Sequence, residues 1–410
     1  MRDAVGGFAM WSAGPCAGAA HGPSVPASLV AEASVRVFAS LARSGHRRKA
    51  EQYVRALLDV PGRKTLTSIG AQWGGAAAGQ SVHHFITASP WDWRPVRRSL
   101  ARYAQQVLPP EALVVEPAVV LGAAPRAAGA GRCAPRRRTP AGTGPQALGA
   151  WLVSAAGSVP VDWHLLPSPQ LGGATGSRPG AGGPPGSGSG HGTWNRDRTA
   201  TAGALGAHVL ASVTDAARLL PGRRGPVVVD ADGLDAVDVV HGLRSLGDEF
   251  VVRVKAGTPL RIDRARLPRC DARPSTAARI AGALAELRRP LGPCDPAVTA
   301  AAVPVAFDGP STRDDPFELM LLSEWESRRE PRSFWLTNLR TPPLSALMRL
   351  ARLPGRVRHD MTGVSERLGL RDYAGRSYRG CHHHLTLVSV AQLLTVVHAM
   401  ADHPPEPRTA

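Results

Sequence analysis

Lysine is almost missing from this chain. Lys49, Lys64 and Lys255 are the only three, so the 49 Lys+Arg residues are nearly all arginine. Against 32 Asp+Glu they leave a formal net charge of +17, a balance that suits a polyanionic partner. The same arginine bias, with abundant Ala, Gly and Pro, also follows from a GC-rich genome, so part of the basicity has a mutational reading. Cysteine is sparse too: Cys16, Cys133, Cys270, Cys294 and Cys381 are odd in number and form no CxxC pair. That excludes a disulfide framework and a thiolate zinc site, and suits a reducing cytoplasm. The stretch from Arg2 to Ala20 is broken by Asp3, Gly6, Gly7 and Pro15 and makes a poor signal peptide. The longest late apolar run, Leu385 to Ala401, contains Thr386, Ser389, Gln392, Thr395 and His398, is shorter than a membrane span and reads as a buried helix. No GxxxxGK[ST], GxSxG or HExxH motif is present, which removes the sequence basis for a P-loop nucleotidase, a serine hydrolase or a metalloprotease. The expectation is a cytoplasmic protein with no membrane partner.

What is present suggests two or three domains, because 410 residues exceed one ordinary domain and 43% hydrophobic residues can fill a sizeable core. Residues 1–27 lack periodicity and are expected to be disordered, as is a tail over 401–410. From Leu29 helical spacing begins. Val30, Val37, Phe38 and Leu41 share a face, and Ala50, Tyr53, Val54 and Leu57 form a second stripe ending at Pro61-Gly62. Thr67–Trp73 and Gln80–Ile86, broken by Gly74-Gly75, have the outline of a helix-turn-helix. A further helix is expected to open at Pro95 and to stop at Pro109-Pro110. Residues 28–110 therefore read as a helical DNA-binding region.

Beyond residue 110 the texture becomes α/β. Ala112–Val115, Trp151–Val153, Pro226–Val229, Phe250–Val254 and Ser333–Thr337 read as strands, with helical patterns over Ala204–Leu220 and Ala236–Leu246. Two Gly/Ala/Pro-rich segments, 122–146 and about 168–195, read as flexible; Leu171–Gly192 holds 10 glycines.

Asp230 is the most informative acid. Three valines place it at the carboxyl end of a buried strand, where open α/β sheets put their working groups, and with Asp232 and Asp235 it could hold Mg²⁺. Capping of the following helix explains the same acids equally well. Basic and aromatic residues crowd the N-terminal helices. Arg47, Arg48, Lys49, Arg63, Lys64, Arg94, Arg97 and Arg98 are candidate phosphate contacts, and His83 sits on the candidate second helix of the pair. Trp91 and Trp93 read as core anchors. His382-His383-His384 reads as structural, since adjacent histidines cannot converge on one ion.

Several stretches also carry a resemblance. Glu51–Leu58, Gln80–Ile86, Ser89–Arg97, Val159–Trp163, Phe334–Leu339 and Leu368–His384, in that order, resemble bacterial DDE insertion-sequence transposases of the IS-seven-oh-one group, within the RNase H-like superfamily. The resemblance implies an RNase H-like α/β domain over 111–400, with an insertion at about 256–330. It also implies a substrate of double-stranded DNA at insertion-element ends, an action on the nucleoid, a candidate homodimer, and strand cleavage by two Mg²⁺ held on three carboxylates. Residue by residue, the triad departs. The first family Asp falls on Pro117, with Glu116 the nearest carboxylate; the second matches Asp230. The family pattern Arg-x3-Glu-x6-Lys falls on Pro354, Arg358 and Ser365, and Asp360 and Glu366 are no easy substitutes. Three readings follow: a DNA binder of transposase ancestry with cleavage impaired or lost, such as a regulator; an active enzyme using other carboxylates; or the product of a decaying gene.

Overall fold

The computed structural model describes residues 25–73, 75–120, 147–166, 202–222, 224–230, 234–262, 274–291, 298–307, 318–326, 330–375 and 377–402. The segments expected to be flexible, Asp232, and most of the expected tails lie outside them. Five helices come first: α1 (Ala27–Val37), α2 (Ser44–Asp59), α3 (Leu66–Ala71), α4 (Ala76–Thr87) and α5 (Trp93–Val107). Three strands follow, β1 (Ala112–Ala118), β2 (Ala147–Val153) and β3 (Ser158–Leu165), then α6 (Ala202–Leu219), β4 (Val227–Val229), α7 (Ala236–Ser245) and β5 (Phe250–Val254). Next come β6 (Pro259–Ile262), β7 (Ser275–Thr276), α8 (Ala277–Ala283), β8 (Arg289–Pro290), β9 (Thr299–Phe307), β10 (Leu319–Trp325) and β11 (Ser333–Thr337). The chain closes on α9 (Leu344–Asp360) and α10 (Tyr378–Asp402). Antiparallel strands β1–β3, then a helix, a strand, a helix and the parallel strand β5, make an RNase H-like α/β fold.

Two compact units emerge. The larger comprises Val25–Gly225, Ala231–Asp235 and Gly355–Ala410. In it β2 pairs antiparallel with β1 (Val115 opposite Ala150) and with β3, and α6 covers that sheet. Helix α10 packs on β3 and on α1, α2, α4 and α5, and its residues from Gly380 to Leu394 are all buried. At 25 residues it is long and apolar enough to cross a membrane, which corrects the expectation of a run too short to span one. It is nevertheless buried from Gly380 to Leu394, as a buried helix was expected to be. The N-terminal helices therefore share one core with the C-terminal helix. The sequence boundary at residue 110 does not separate them.

The smaller unit gathers Pro226–Asp230 and Ala236–Pro354. Strand β4 lies parallel to β5 (Val228 opposite Val251), and from β5 the antiparallel order continues through β11, β10, β9, β6 and β7. All three β4 valines are buried, as expected of β-branched residues in a strand covered on both faces. Among the described residues of 256–330, strands β6, β7, β9 and β10 prolong this sheet and β8 pairs with β9.

Local chemistry explains where the pattern and the fold differ. Helix α5 opens at Trp93, two residues before Pro95, because the Asp92 side chain accepts from Arg94 N at 3.0 Å and caps it. Pro95 is tolerated in the first turn, where a missing N–H costs nothing. Strand β3 escaped the residue reading because Pro160 interrupts its alternation. The β2–β3 register slips between Ala150 and Trp151, where Pro160 sits opposite, and the irregularity absorbs the missing donor.

Candidate active site and nucleic-acid surface

Glu116 lies near the end of β1, nine-tenths or more buried, with Pro117 next to it and opposite Leu148 on β2. Its Oε1 accepts from Arg358 Nη1 at 2.8 Å. Arg358 stands in the last turn of α9, half-exposed, and its guanidinium occupies the place where the resemblance puts a metal-holding Glu. A permanently charged guanidinium there repels a cation and neutralises the nearest carboxylate. Pro117 supplies no ligand atom at all.

The other acids on α9 and just beyond it are engaged in structure. Asp360 Oδ2 accepts from Ser158 N at 3.0 Å and from Ser158 Oγ at 2.7 Å. Ser158 O accepts from Gln392 Nε2 at 2.8 Å, and Gln392 Oε1 accepts from the buried Ser365 hydroxyl. These links tie the end of α9, the start of β3 and the middle of α10 together. Met361–Ser365 form a π-helical turn after α9, and Glu366 pairs with Arg371 at 2.7 Å.

In the smaller unit Asp230 ends β4 with its carboxylate buried, as the valine run indicates. Arg253, on neighbouring β5, reaches both oxygens, each at 3.1 Å, and its guanidinium also lies over the Trp335 ring. The residues present do not fit a two-metal clamp. The resemblance supplies Asp230 alone of three carboxylates, and cations hold both Asp230 and Glu116. Among the described residues no three His, Cys, Asp or Glu side chains gather as a metal site. The pairing of Asp230 with Asp232 lies outside the described residues.

The basic residues of the N-terminal helices divide into two groups. Arg47, Arg48, Arg63, Arg94 and Arg98 are exposed, Lys49 is half-exposed, and His83 and His84 lie exposed on α4. Arg97 and Lys64, expected on the same surface, are instead buried. Arg97 donates to Asp162 Oδ1 at 2.8 Å, Thr386 Oγ1 at 2.8 Å, Trp163 O at 3.0 Å and the ring of His382. It joins α5, β3 and α10, so its fork is spent inside the protein. Lys64 Nζ donates to Val60 O, its N–H donates to Asp372 Oδ2 at 2.8 Å, and its stem lies against Gly369. Neither can contact DNA. Spacing alone could not separate Arg97 from Arg98; the cue was Arg97 standing one residue from Val96 and three from Leu100 on the apolar stripe.

Helices α3 and α4 stand where two short glycine-separated helices were expected, and they pack together. Thr65 and Ser68 form a reciprocal capping box on α3. Gly75, with φ of 83°, turns the chain into α4, and a Cβ on Gly70 would meet Gly75 O at 2.9 Å and Gly79 Cα at 3.0 Å. The two helices cross at a contact only glycine permits.

The three histidines of α10 are buried and serve three different elements. His382 accepts from Arg97 and stacks on Trp93, with ring centroids 4.5 Å apart. His383 stacks on Trp91 at 3.8 Å, and its ring nitrogens face Ile86 O at 2.8 Å and Trp91 O at 2.9 Å. A neutral ring donates to one of these carbonyls. His384 Nδ1 accepts from Tyr53 Oη at 2.8 Å while its Nε2 donates to Gly369 O at 2.9 Å. Burial holds His383 and His384 down to about 4, and holds His382, beside Arg97, well below the usual histidine range. The same apolar surroundings push the buried Cys381 thiol up to about 12, which makes it unreactive. The structural reading of this triplet therefore holds.

An RNase H-like scaffold with a strand-end aspartate defines the class of nucleic-acid-processing folds. The family model of the DDE superfamily endonucleases matches residues 36–290, more than half of the chain, and the chain belongs to that family. A search of curated proteins gives no match to the chain.

Proposed function

We propose that this chain is a DNA-binding protein of transposase ancestry in which strand cleavage is lost. The observation that carries the proposal is the 2.8 Å pair between Arg358 and Glu116, set where the resemblance would require an open, metal-holding carboxylate. The Arg253 fork on Asp230 supports it, because a neutralised aspartate is a poor ligand for a hard cation. The DNA half of the proposal is supported by family membership, by the net charge of +17 and by the exposed Arg47, Arg48, Arg63, Arg94 and Arg98 around a helix-turn-helix. The DNA it suits is the end of an insertion element of the IS-seven-oh-one group, bound by a homodimer on the nucleoid in the cytoplasm. Without cleavage, occupation of such ends amounts to regulation.

One sample tests both halves. The full chain is titrated into labelled duplexes carrying the terminal repeats that flank its gene, at 50 and 200 mM salt, then incubated with Mg²⁺ or Mn²⁺. The expected result is salt-sensitive binding and intact strands. Metal-dependent nicking abolished by Asp230→Ala overturns the loss of cleavage and points to Glu116, Asp232, Asp360 and Glu366 as replacement ligands.

A further inference from the structure

Helix α4 carries an exposed polar stripe, of which Thr87 donates to His83 O at 2.8 Å. Gln80, His83, His84 and Thr87 stand at i, i+3, i+4 and i+7, one row along the helix. Gln80, His83 and His84 are exposed and Thr87 half-exposed, while Gly79, Val82, Phe85 and Ile86 turn inward. The row begins beside Ala77, a side chain too small to hold a neighbouring surface away. The helix is held rigidly from behind. Gly70 and Gly79 clamp its first half onto α3, and the loop after it is fixed by Trp91 Nε1 donating to Phe85 O at 3.2 Å and by His383 facing Ile86 O.

A basic turn packs beside α4. His46 of α2 touches Phe85 of α4 with ring centroids 5.7 Å apart, which brings the turn carrying Arg43, Arg47, Arg48 and Lys49 beside α4. Those charges sit at the start of a helix, where the macrodipole disfavours them and an anion relieves the cost. Arg63, which precedes the capping box of α3, pairs with Asp372 at 3.5 Å. A rigid neutral row on a helix with a basic turn packed beside it suits a helix laid in a major groove, with that turn on a phosphate backbone.

We infer that α4 is the base-reading helix of this protein and that Gln80 reads an adenine in the major groove. Its amide offers the donor and acceptor pair that matches adenine N6 and N7, and it lies in the first half of α4, the part of a recognition helix that reaches base edges. His83, His84 and Thr87 continue the contact along the groove, and the arginines fix the register on phosphates without reading sequence. This inference rests on the DNA-binding reading above and adds the residue that sets sequence preference.

The test is selection from a library of random 20-base-pair duplexes by the full chain and by the Q80A and R48A variants, each confirmed folded by circular dichroism. Wild type is expected to enrich a motif with one invariant adenine. Gln80→Ala should lose that column and bind the wild-type motif about tenfold or more weakly, while its affinity for unselected duplex is unchanged. Arg48→Ala should keep the motif and weaken all duplexes alike. An unchanged motif with folded Gln80→Ala overturns the base-reading role while leaving DNA binding in place. Absence of binding to any duplex by wild type at 50 mM salt overturns the DNA-binding reading and this inference with it.

Discussion

Arg358 Nη1 lies 2.8 Å from Glu116 Oε1, joining the last turn of α9 to the end of β1 across 242 residues of sequence. The carboxylate is buried and the guanidinium half-exposed, so the arginine keeps part of its hydration while it neutralises an acid that has lost its own.

Removing the arginine should therefore cost more than removing the acid's charge. Arg358→Ala is expected to destabilise the protein by about 1–3 kcal/mol, and Glu116→Gln by less. Urea denaturation followed by tryptophan fluorescence measures both. If Arg358→Ala is neutral, the pair has no structural value and its part in closing the site is gone.

Arg97 and Arg98 are adjacent in sequence and opposite in duty. Arg97→Ala should destabilise by about 3–5 kcal/mol, because it takes a charged donor from Asp162 and from the Trp163 carbonyl inside the core. Arg98→Ala should change stability by no more than about 0.5 kcal/mol and should weaken DNA binding instead. Equal stability of the two variants would contradict the burial of Arg97.

DNA affinity should fall roughly 10³-fold or more between 50 and 200 mM salt if the exposed arginines each neutralise a phosphate. Fluorescence anisotropy with a labelled duplex reads the slope. A flat dependence would remove these side chains from the interface.

Stability should fall on acidification between pH 7 and pH 5. His383 and His384 titrate near 4 when folded against 6.5 when unfolded, both lowered first of all by burial. In that window the unfolded chain binds more protons, so the stability present above 6.5 is lost as pH falls toward 4. Arg97 and Arg379 near His383, and Asp372 near His384, shift the balance in opposite directions, which leaves an expected loss of about 2 kcal/mol or more. Denaturant midpoints at the two pH values check it. A midpoint that rises on acidification would contradict the burial of these rings.

Much of the scaffold was legible in the sequence. Strands β5 and β11 carry short runs rich in β-branched and aromatic residues, and α6 and α7 carry clean helical spacing, so each was legible to within two residues. Asp230 was legible for the same reason, since Val227–Val229 admit little else but a buried strand. The partner of Asp230 was not: Arg253 lies 23 residues away on an adjacent strand, and only the β4–β5 register brings the two together. Burial of Arg97 and Lys64 was equally hidden, because their acceptors come from β3 and α10 in one case and from Val60 and Asp372 in the other. Local pattern reports which face of a helix is apolar; it does not report which distant segment will enclose a charge on that face.

The histidine triplet of α10 has a consequence for truncation. His382 engages α5 through Arg97, His383 the end of α4, and His384 the middle of α2, so the N-terminal helices are completed by residues 285 to 331 positions further along the chain. A chain cut before Tyr378 lacks the histidine partners of Arg97, Ile86 and Tyr53. A chain over 28–110 alone should show the circular dichroism of an unfolded peptide. Folding of these helices is therefore tied to the whole chain, and the proposed loss of cutting with binding kept calls for a substitution such as that at Arg358 rather than a truncation.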